Sequence, residues 1–262
     1  MAEACNRLGL TLVDQPKHGY LDRSRSATVS AADGALCWLK VNGITAGSAA
    51  QWLRTGEETA DQIQGVPRPT IIKIADWNAD DVQWRALLMS LAPCCTAAST
   101  PNDCPESKSI SDAWIGDLKA SFHEIGRLPS PRRRFEPKFM SHLLVDRFNL
   151  NAPIRVEEWR TAHGDMHWGN LTVPKLMLLD WELWGAAPPG YDAARLIAFS
   201  CARPELVERL RAVFTEELDT PSGRVTQLLA CAELLATIES GHLSPRLYQP
   251  VESLARQVLR TV

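Results

Sequence analysis

The sequence predicts an α+β fold in two lobes: a β-rich N-terminal lobe over residues 1–91 with one main helix, and a mostly helical C-terminal lobe over residues 92–262. Three observations carry this. Strand-length apolar runs punctuated by turn residues fill the first third of the chain. A breaker-rich segment, APCCTAASTPNDCPES at residues 92–107, interrupts them. Beyond it, apolar residues recur at helical spacing almost to the end. With 262 residues, 45% of them hydrophobic and 23% charged, the chain can bury such cores and is too apolar for wholesale disorder.

In the first lobe, residues 19–30 and 35–41 read as strands, and Asp33-Gly34 between them is a hairpin signal. A helix is expected over residues 48–63, carrying Trp52, Glu57, Glu58 and Ile63. Pro67 and Pro69 end it, because proline cannot continue a helix. Residues 70–75 and 82–91 read as two more strands, with 78–81 as their turn.

The second lobe opens with a helix whose stripe is Ile110, Trp114, Leu118, Phe122 and Ile125. Pro129, Pro131 and the run Arg132, Arg133, Arg134 follow. The run reads as a solvated loop, with contact to an anionic substrate as the alternative. Another helix is expected at 137–148. Residues 160–185 differ, with short apolar pieces alternating with isolated Asp, His and Asn. After Pro188-Pro189-Gly190 the pattern is helical at 191–202, 204–217, 222–240 and 248–260, with Gly241 and Pro245 separating the last two.

Composition narrows the function. A formal charge of −3 offers no basic excess to bind a nucleic-acid backbone. No apolar run approaches the roughly 20 residues of a membrane span. The N-terminus, MAEACNRLGL, lacks the basic-then-apolar pattern of a signal peptide, so a cytoplasmic protein is the default. Seven cysteines occur without a Cys-x-x-Cys pair, so zinc-ligand spacing is absent and reduced thiols are expected. A link from Cys94 or Cys95 to Cys104 has no positive support.

The chemistry concentrates in His163-Gly164-Asp165-Met166-His167-Trp168-Gly169-Asn170. Two short apolar runs turned at Pro174-Lys175 follow, and then Asp180-Trp181-Glu182. Phosphoryl transfer from a nucleotide needs such a set. One carboxylate orients or accepts the proton of the attacking hydroxyl; a second carboxylate and an amide oxygen hold Mg²⁺ against the phosphates. Asp165 and Asn170 stand five apart, the offset of a kinase catalytic loop, and an Asp follows on the next hairpin.

HGDMHWGN, LLDWE and YDAARL together resemble the aminoglycoside phosphotransferase and small-molecule kinase family, which has the protein-kinase-like fold. The likeness is specific over about residues 160–200 and looser elsewhere. It implies Asp165 as the catalytic residue that engages the acceptor hydroxyl, and Asn170 and Asp180 as the magnesium ligands. It also implies that His163 braces the loop and that Asp192 ties it down. His167 and Glu182 lie beside the site. In the first lobe it implies that Lys40, in the apolar run ALCWLKV, contacts the nucleotide phosphates and pairs with a Glu on the next helix. Glu57 and Glu58 are adjacent and only one can face the strand; Glu58 is favoured. Backbone groups of Ser90 and Ala92 would hold the adenine. The phosphate-covering loop would lie near Arg23–Ser26, with Ser26 a nucleotide contact.

Two departures from the kinase pattern stand out. No G-x-G-x-x-G precedes Lys40, and only nine residues separate Asn170 from Asp180. From Ala186 onward nine acidic residues face eight basic ones, which argues weakly against a polycationic aminoglycoside as acceptor. The expected activity is an ATP- or GTP- and Mg²⁺-dependent O-phosphotransfer to a small hydroxylated molecule, such as an antibiotic, sugar or amino alcohol. A catalytically silent nucleotide-binding module is the rival reading, and a protein kinase a weaker one, since HRD, DFG and APE segments are not visible.

Overall fold

The computed structural model describes residues 1–19, 22–45, 51–150 and 156–261. The chain divides into two compact units, one of residues 1–64 and 68–93, the other of residues 65–67 and 94–262.

The first unit begins with helix α1 (Ala2–Leu8), which Gly9 ends at φ 69°. Strands β1 (Thr11–Leu12), β2 (Lys17–His18), β3 (Ser24–Ser30), β4 (Leu36–Thr45), β5 (Ile71–Ala79) and β6 (Val82–Ser90) form one antiparallel sheet in the order β1-β3-β4-β6-β5, with β2 also paired to β3. Side chains alternate across the sheet. One face carries Val29, Cys37, Leu39, Val41, Ala86 and Leu88, which pack on Ala4, Cys5 and Leu8 of α1. The other face carries Ser26, Lys40 and Leu87, which stand opposite one another on three neighbouring strands. Helix α1 is an addition to the expected lobe; at seven residues its apolar stripe is too short to show periodicity.

The single helix expected over 48–63 is instead two short ones, α2 (Gln51–Arg54) and α3 (Gly56–Ala60). Thr55 and Gly56, both poor helix formers, stand at the break. Residues 48–50 lie outside the described residues. The β5–β6 turn is also tighter than expected, because Asn78 and Ala79 remain in the ladder and Asp80 takes φ 52°.

Arg85 binds Asp76 twice, Nε to Oδ1 and Nη2 to Oδ2, both at 2.8 Å. Those hydrogen bonds hold the Asp76 carboxyl below its ordinary range. A carboxyl whose pKa falls on folding stabilises the fold above its unfolded pKa, and that contribution fades as pH drops through the folded value. Asp76→Asn is therefore expected to cost about 1 kcal/mol near neutrality, small because Asp76 is partly exposed. Thermal unfolding of wild type and variant should differ by a few degrees at pH 7, and the gap should narrow as acid protonates the lowered Asp76 carboxyl.

The second unit holds β7 (Cys95–Thr96), α4 (Asp112–Arg127), α5 (Pro137–Phe148), β8 (Arg160–Ala162), β9 (Thr172–Val173), β10 (Gly185–Ala187), α6 (Tyr191–Phe199), α7 (Pro204–Val213), α8 (Thr215–Leu218), α9 (Pro221–Glu239) and α10 (Tyr248–Leu259). Ser111 caps α4 by accepting from the Trp114 N–H, and Thr220 caps α9 from the Gly223 N–H. Helix α9 is the central helix, packed by α6 and α10 and burying Leu228, Leu229, Leu234 and Leu235. The helix expected over 204–217 is broken at Phe214 into α7 and α8. Within the breaker-rich segment, β7 pairs with β9, so part of that segment belongs to the second unit's sheet structure. All seven cysteines are free thiols. Among the described residues no helix is long and apolar enough to cross a membrane.

Candidate active site

The loop that follows β8 is held on both flanks. Strand β8 pairs with β10, Ala162 opposite Gly185. Asp192, in the first turn of α6, accepts the His163 N–H at Oδ2 (2.6 Å) and the Gly164 N–H at Oδ1 (2.9 Å). Its carboxylate is buried, and burial pushes its pKa up against the opposing pull of the two N–H groups and of Arg195. Gly164 sits at φ 85°, and a Cβ there would collide with the Leu183 carbonyl oxygen. Gly164→Ala is expected to cost roughly 1–3 kcal/mol from the left-handed backbone alone. Urea denaturation should show this, with loss of turnover exceeding what the lost stability explains.

Buried His163 ties the loop to the hairpin. Its Nδ1 accepts the Asp165 N–H at 3.3 Å, so Nε2 carries the proton given to the Leu179 carbonyl at 2.9 Å. The Leu179 N–H in turn donates to the Asn170 carbonyl at 2.8 Å. Leu179 thus fastens the residue before Asp180 to both ends of the loop. Asp180 itself takes φ 65°, an unusual conformation for a non-glycine residue and one that Asp tolerates better than most.

Asn170 is buried, and its Nδ2 donates to the Asp165 carbonyl at 2.9 Å. That bond fixes the amide's orientation and leaves Oδ1 as its unused acceptor. The sequence-predicted residues His163, Asp165, Asn170 and Asp192 therefore lie in one hydrogen-bonded assembly, and Asp180 directly follows Leu179, which is bonded into it. Asn170 Oδ1 and the Asp180 carboxylate supply the hard oxygens that magnesium prefers. Among the described residues no three His, Cys, Asp or Glu side chains form a ready-made metal centre.

Asp165 has a partner that the sequence reading did not identify. Arg195 Nη2 donates to its Oδ1 at 2.8 Å. Burial opposes ionisation of this carboxyl, but positive charge, that of Arg195 above all and of Arg134 beyond it, holds it below the ordinary carboxylate range. His167 Nε2 lies 3.9 Å from the second oxygen, Oδ2. Burial pushes the His167 pKa down, against the pull of Asp165 and Asp180.

Behind Asp165 the network continues. Arg195 Nη1 reaches the Tyr191 hydroxyl at 3.3 Å and Glu233 Oε2 at 3.5 Å, and the Tyr191 hydroxyl donates to the same Glu233 oxygen. Arg134 donates from Nη2 to Glu233 Oε1 (3.0 Å) and from Nε to the Gly164 carbonyl (3.1 Å). Arg132 donates to the carbonyls of Trp184 and Glu182 at 3.0 and 2.7 Å. The arginine run is therefore not a solvated loop: Arg132 and Arg134 brace the site, and only Arg133 is exposed, over the Trp159 ring. The reason is local, since Arg133 pairs its backbone with Ala186 and so draws the run against β10.

In the first unit, Lys40 Nζ lies 3.3 Å from Glu57 Oε1, and both side chains are 8% exposed. Glu57, not Glu58, is the partner. Neighbouring helical residues point about 100° apart, and α3 starts at Gly56, which sets Glu57 toward the sheet. Glu58 accepts from Arg85 Nη1 at 2.6 Å instead. Ser26 stands directly across from Lys40. Of the Ser90 backbone groups expected near the base, the N–H donates to the Thr70 carbonyl at 2.9 Å. The pairing of β6 at its end takes that donor. No hydrogen bond ends on the Ala92 backbone among the described residues.

The model of the phosphotransferase enzyme family matches residues 64–225, more than half of the chain. The chain belongs to this family. The match takes in the loop, the hairpin and α6, where the phosphotransferase carries its assembled polar residues. No curated protein sequence matches the chain. Among solved structures, an aminoglycoside phosphotransferase in complex with AMP-PNP and hygromycin B is similar at TM-score 0.58, with 13% identity over 98% of this chain and 96% of that one. An amicoumacin kinase with AMP-PNP and Ca²⁺ gives TM-score 0.58, with 11% identity over 97% and 88%. The macrolide 2′-phosphotransferase of Brachybacterium faecium gives 0.56, with 14% identity over 95% and 96%. At these identities the likeness is one of fold: an antiparallel sheet unit followed by a helical one.

The residues that sequence reading missed in this phosphotransferase, Arg195 and Glu233, did leave a signal. Each is a lone charge in an apolar run, AARLIAF and LLACAELLATI. A charge that such a run buries must find a partner.

Proposed function

We propose that this phosphotransferase moves the γ-phosphoryl group of a nucleoside triphosphate, ATP or GTP, to a hydroxyl of a small molecule. The observation that carries the reading is Asp165, one of whose oxygens is bonded to Arg195 while the other, among the described residues, has only His167, at 3.9 Å. The clamped oxygen fixes the carboxylate; the second one is the group that would accept the acceptor's hydroxyl hydrogen. Asn170 Oδ1 and Asp180 would hold Mg²⁺, which when bound neutralises charge on the phosphates. Lys40, kept in place by Glu57, would contact the nucleotide phosphates, with Ser26 beside it. The Ala92 backbone would meet the base. The enzyme's contribution is then mainly positioning and charge compensation.

The fold neighbours include enzymes solved with hygromycin B and spectinomycin, so hydroxylated antibiotics come first as acceptors, with sugars and amino alcohols next. The test is nucleoside diphosphate release by purified protein across such a panel, with and without EDTA. Acceptor-stimulated release that EDTA abolishes is expected. Nucleotide binding without release on any acceptor would favour a silent module, and no nucleotide binding would overturn the roles of Lys40 and Asp180.

A further inference from the structure

We propose that the helical unit carries a second ligand site, behind the catalytic loop, for a small organic cation: an ammonium or guanidinium group on a compact apolar body. A cavity of about 510 Å³ opens there. Its walls include Phe122 of α4, Thr161 and Ala162 of β8, the start of α6, Phe214 and Glu217. Asp165, Asn170 and Asp180 do not line it. Close packing leaves few voids larger than a water molecule, whereas small-molecule sites run to several hundred Å³.

Charge and aromatic surface specify the occupant. Phe122, partly exposed on the wall and stacked at 5.6 Å on buried Phe214, offers an aromatic surface that favours a cation. Three glutamates, Glu158, Glu216 and Glu217, stand on the walls. Glu158 is paired with Arg160 at 2.5 Å, and Glu216 with Lys119 at 3.6 Å. Glu217 makes no side-chain hydrogen bond or ion pair among the described residues, and its Oε2 is buried. One negative charge on the wall is thus left uncompensated. The positive end of α6 does not reverse this, because Asp192 already answers it, with both oxygens taken by the His163 and Gly164 N–H groups. His123, on the wall, has Glu124 at 3.7 Å. An occupant would touch Ala162 and Asp192, two supports of the loop that carries Asp165.

Titration calorimetry on the full chain with phenethylammonium and its neutral analogue 2-phenylethanol tests the site. The cation should bind at one site, about tenfold more tightly than the alcohol. Glu217→Gln should erase that preference and leave the alcohol unaffected, while Asp165→Asn should leave both affinities unchanged. Ser222→Trp, which fills the cavity from a half-exposed wall, should abolish binding of both probes and serves if Glu217→Gln does not fold. Equal affinity for the two probes, no binding by either, or loss of binding in Asp165→Asn rather than in the cavity variants would overturn the proposal. None of these readouts depends on turnover, so the site stands or falls apart from the proposed activity.

Discussion

Asp165→Asn is expected to lower kcat on any accepted acceptor by about 10²–10⁴-fold, the usual contribution of a positioned acid–base group. The KM for nucleotide should stay near wild type, because Lys40, Glu57 and Asp180 are untouched. The substitution keeps the size of the side chain, and the amide oxygen can still accept from Arg195. Its NH₂ group then replaces Oδ2 and presents hydrogens where the acceptor hydroxyl needs a lone pair. The ground-state hydrogen-bond framework survives while the proton acceptor is lost, so the change should fall on kcat. Stability should drop as well, by about 1–3 kcal/mol, because a charge-assisted bond to buried Arg195 becomes an ordinary one. Since the fold holds the Asp165 carboxyl below its ordinary range, that loss should be full above the unfolded carboxylate pKa and should shrink as pH falls through the folded value. Single-turnover kinetics and thermal unfolding of both proteins check the two effects separately. Unchanged transfer by the variant would remove Asp165 from the chemistry.

Much of this site was legible because its residues are close in sequence. Asp165, Asn170 and Asp180 fall within one loop and hairpin, where spacing alone constrains geometry. Asp192 was readable only through the resemblance of YDAARL to the family's motif, since a carboxylate at a helix start is by itself equally a cap. The partners that come from afar were not. Glu233 lies 42 positions beyond Tyr191, whose hydroxyl it accepts, and 99 beyond Arg134. Only the packing of α9 against α6 and α5 brings them together. The choice between Glu57 and Glu58 turned on helix phase. A helix begun near Ser48 and one begun at Gly56 direct those carboxylates differently, and no local residue type reports the starting point. The β-lobe was legible in its strands through strand-length runs set off by turn residues such as Asp33-Gly34. Helix α1 was not, because seven residues, about two turns, hold too few apolar positions for a period to show.

Arg195→Met should be the most destabilising single change at this site. Arg195 is 7% exposed and, among the described residues, is the one cation that touches both Asp165 and Glu233. Removing one partner from a buried ion pair typically costs 3–5 kcal/mol, because the remaining charge stays desolvated. For a chain of this size that corresponds to a fall in Tm of roughly 6–20 °C. Glu233 would keep Arg134 at 3.0 Å, so the larger share of the penalty should come from Asp165, whose remaining basic contact among the described residues is His167, at 3.9 Å. The double variant Arg195→Met with Asp165→Asn discriminates. If uncompensated charge on Asp165 is the cause, the second substitution should restore part of the lost stability, a coupling that independent sites would not show. Arg195→Lys should recover less than its charge suggests, since one ammonium cannot reproduce a planar fork that reaches Asp165 from Nη2 and Tyr191 from Nη1. A wild-type Tm in Arg195→Met would mean that the network contributes orientation without stability. The test would then move to kcat, where a carboxylate freed from its clamp should lose rate even in a fold of undiminished stability.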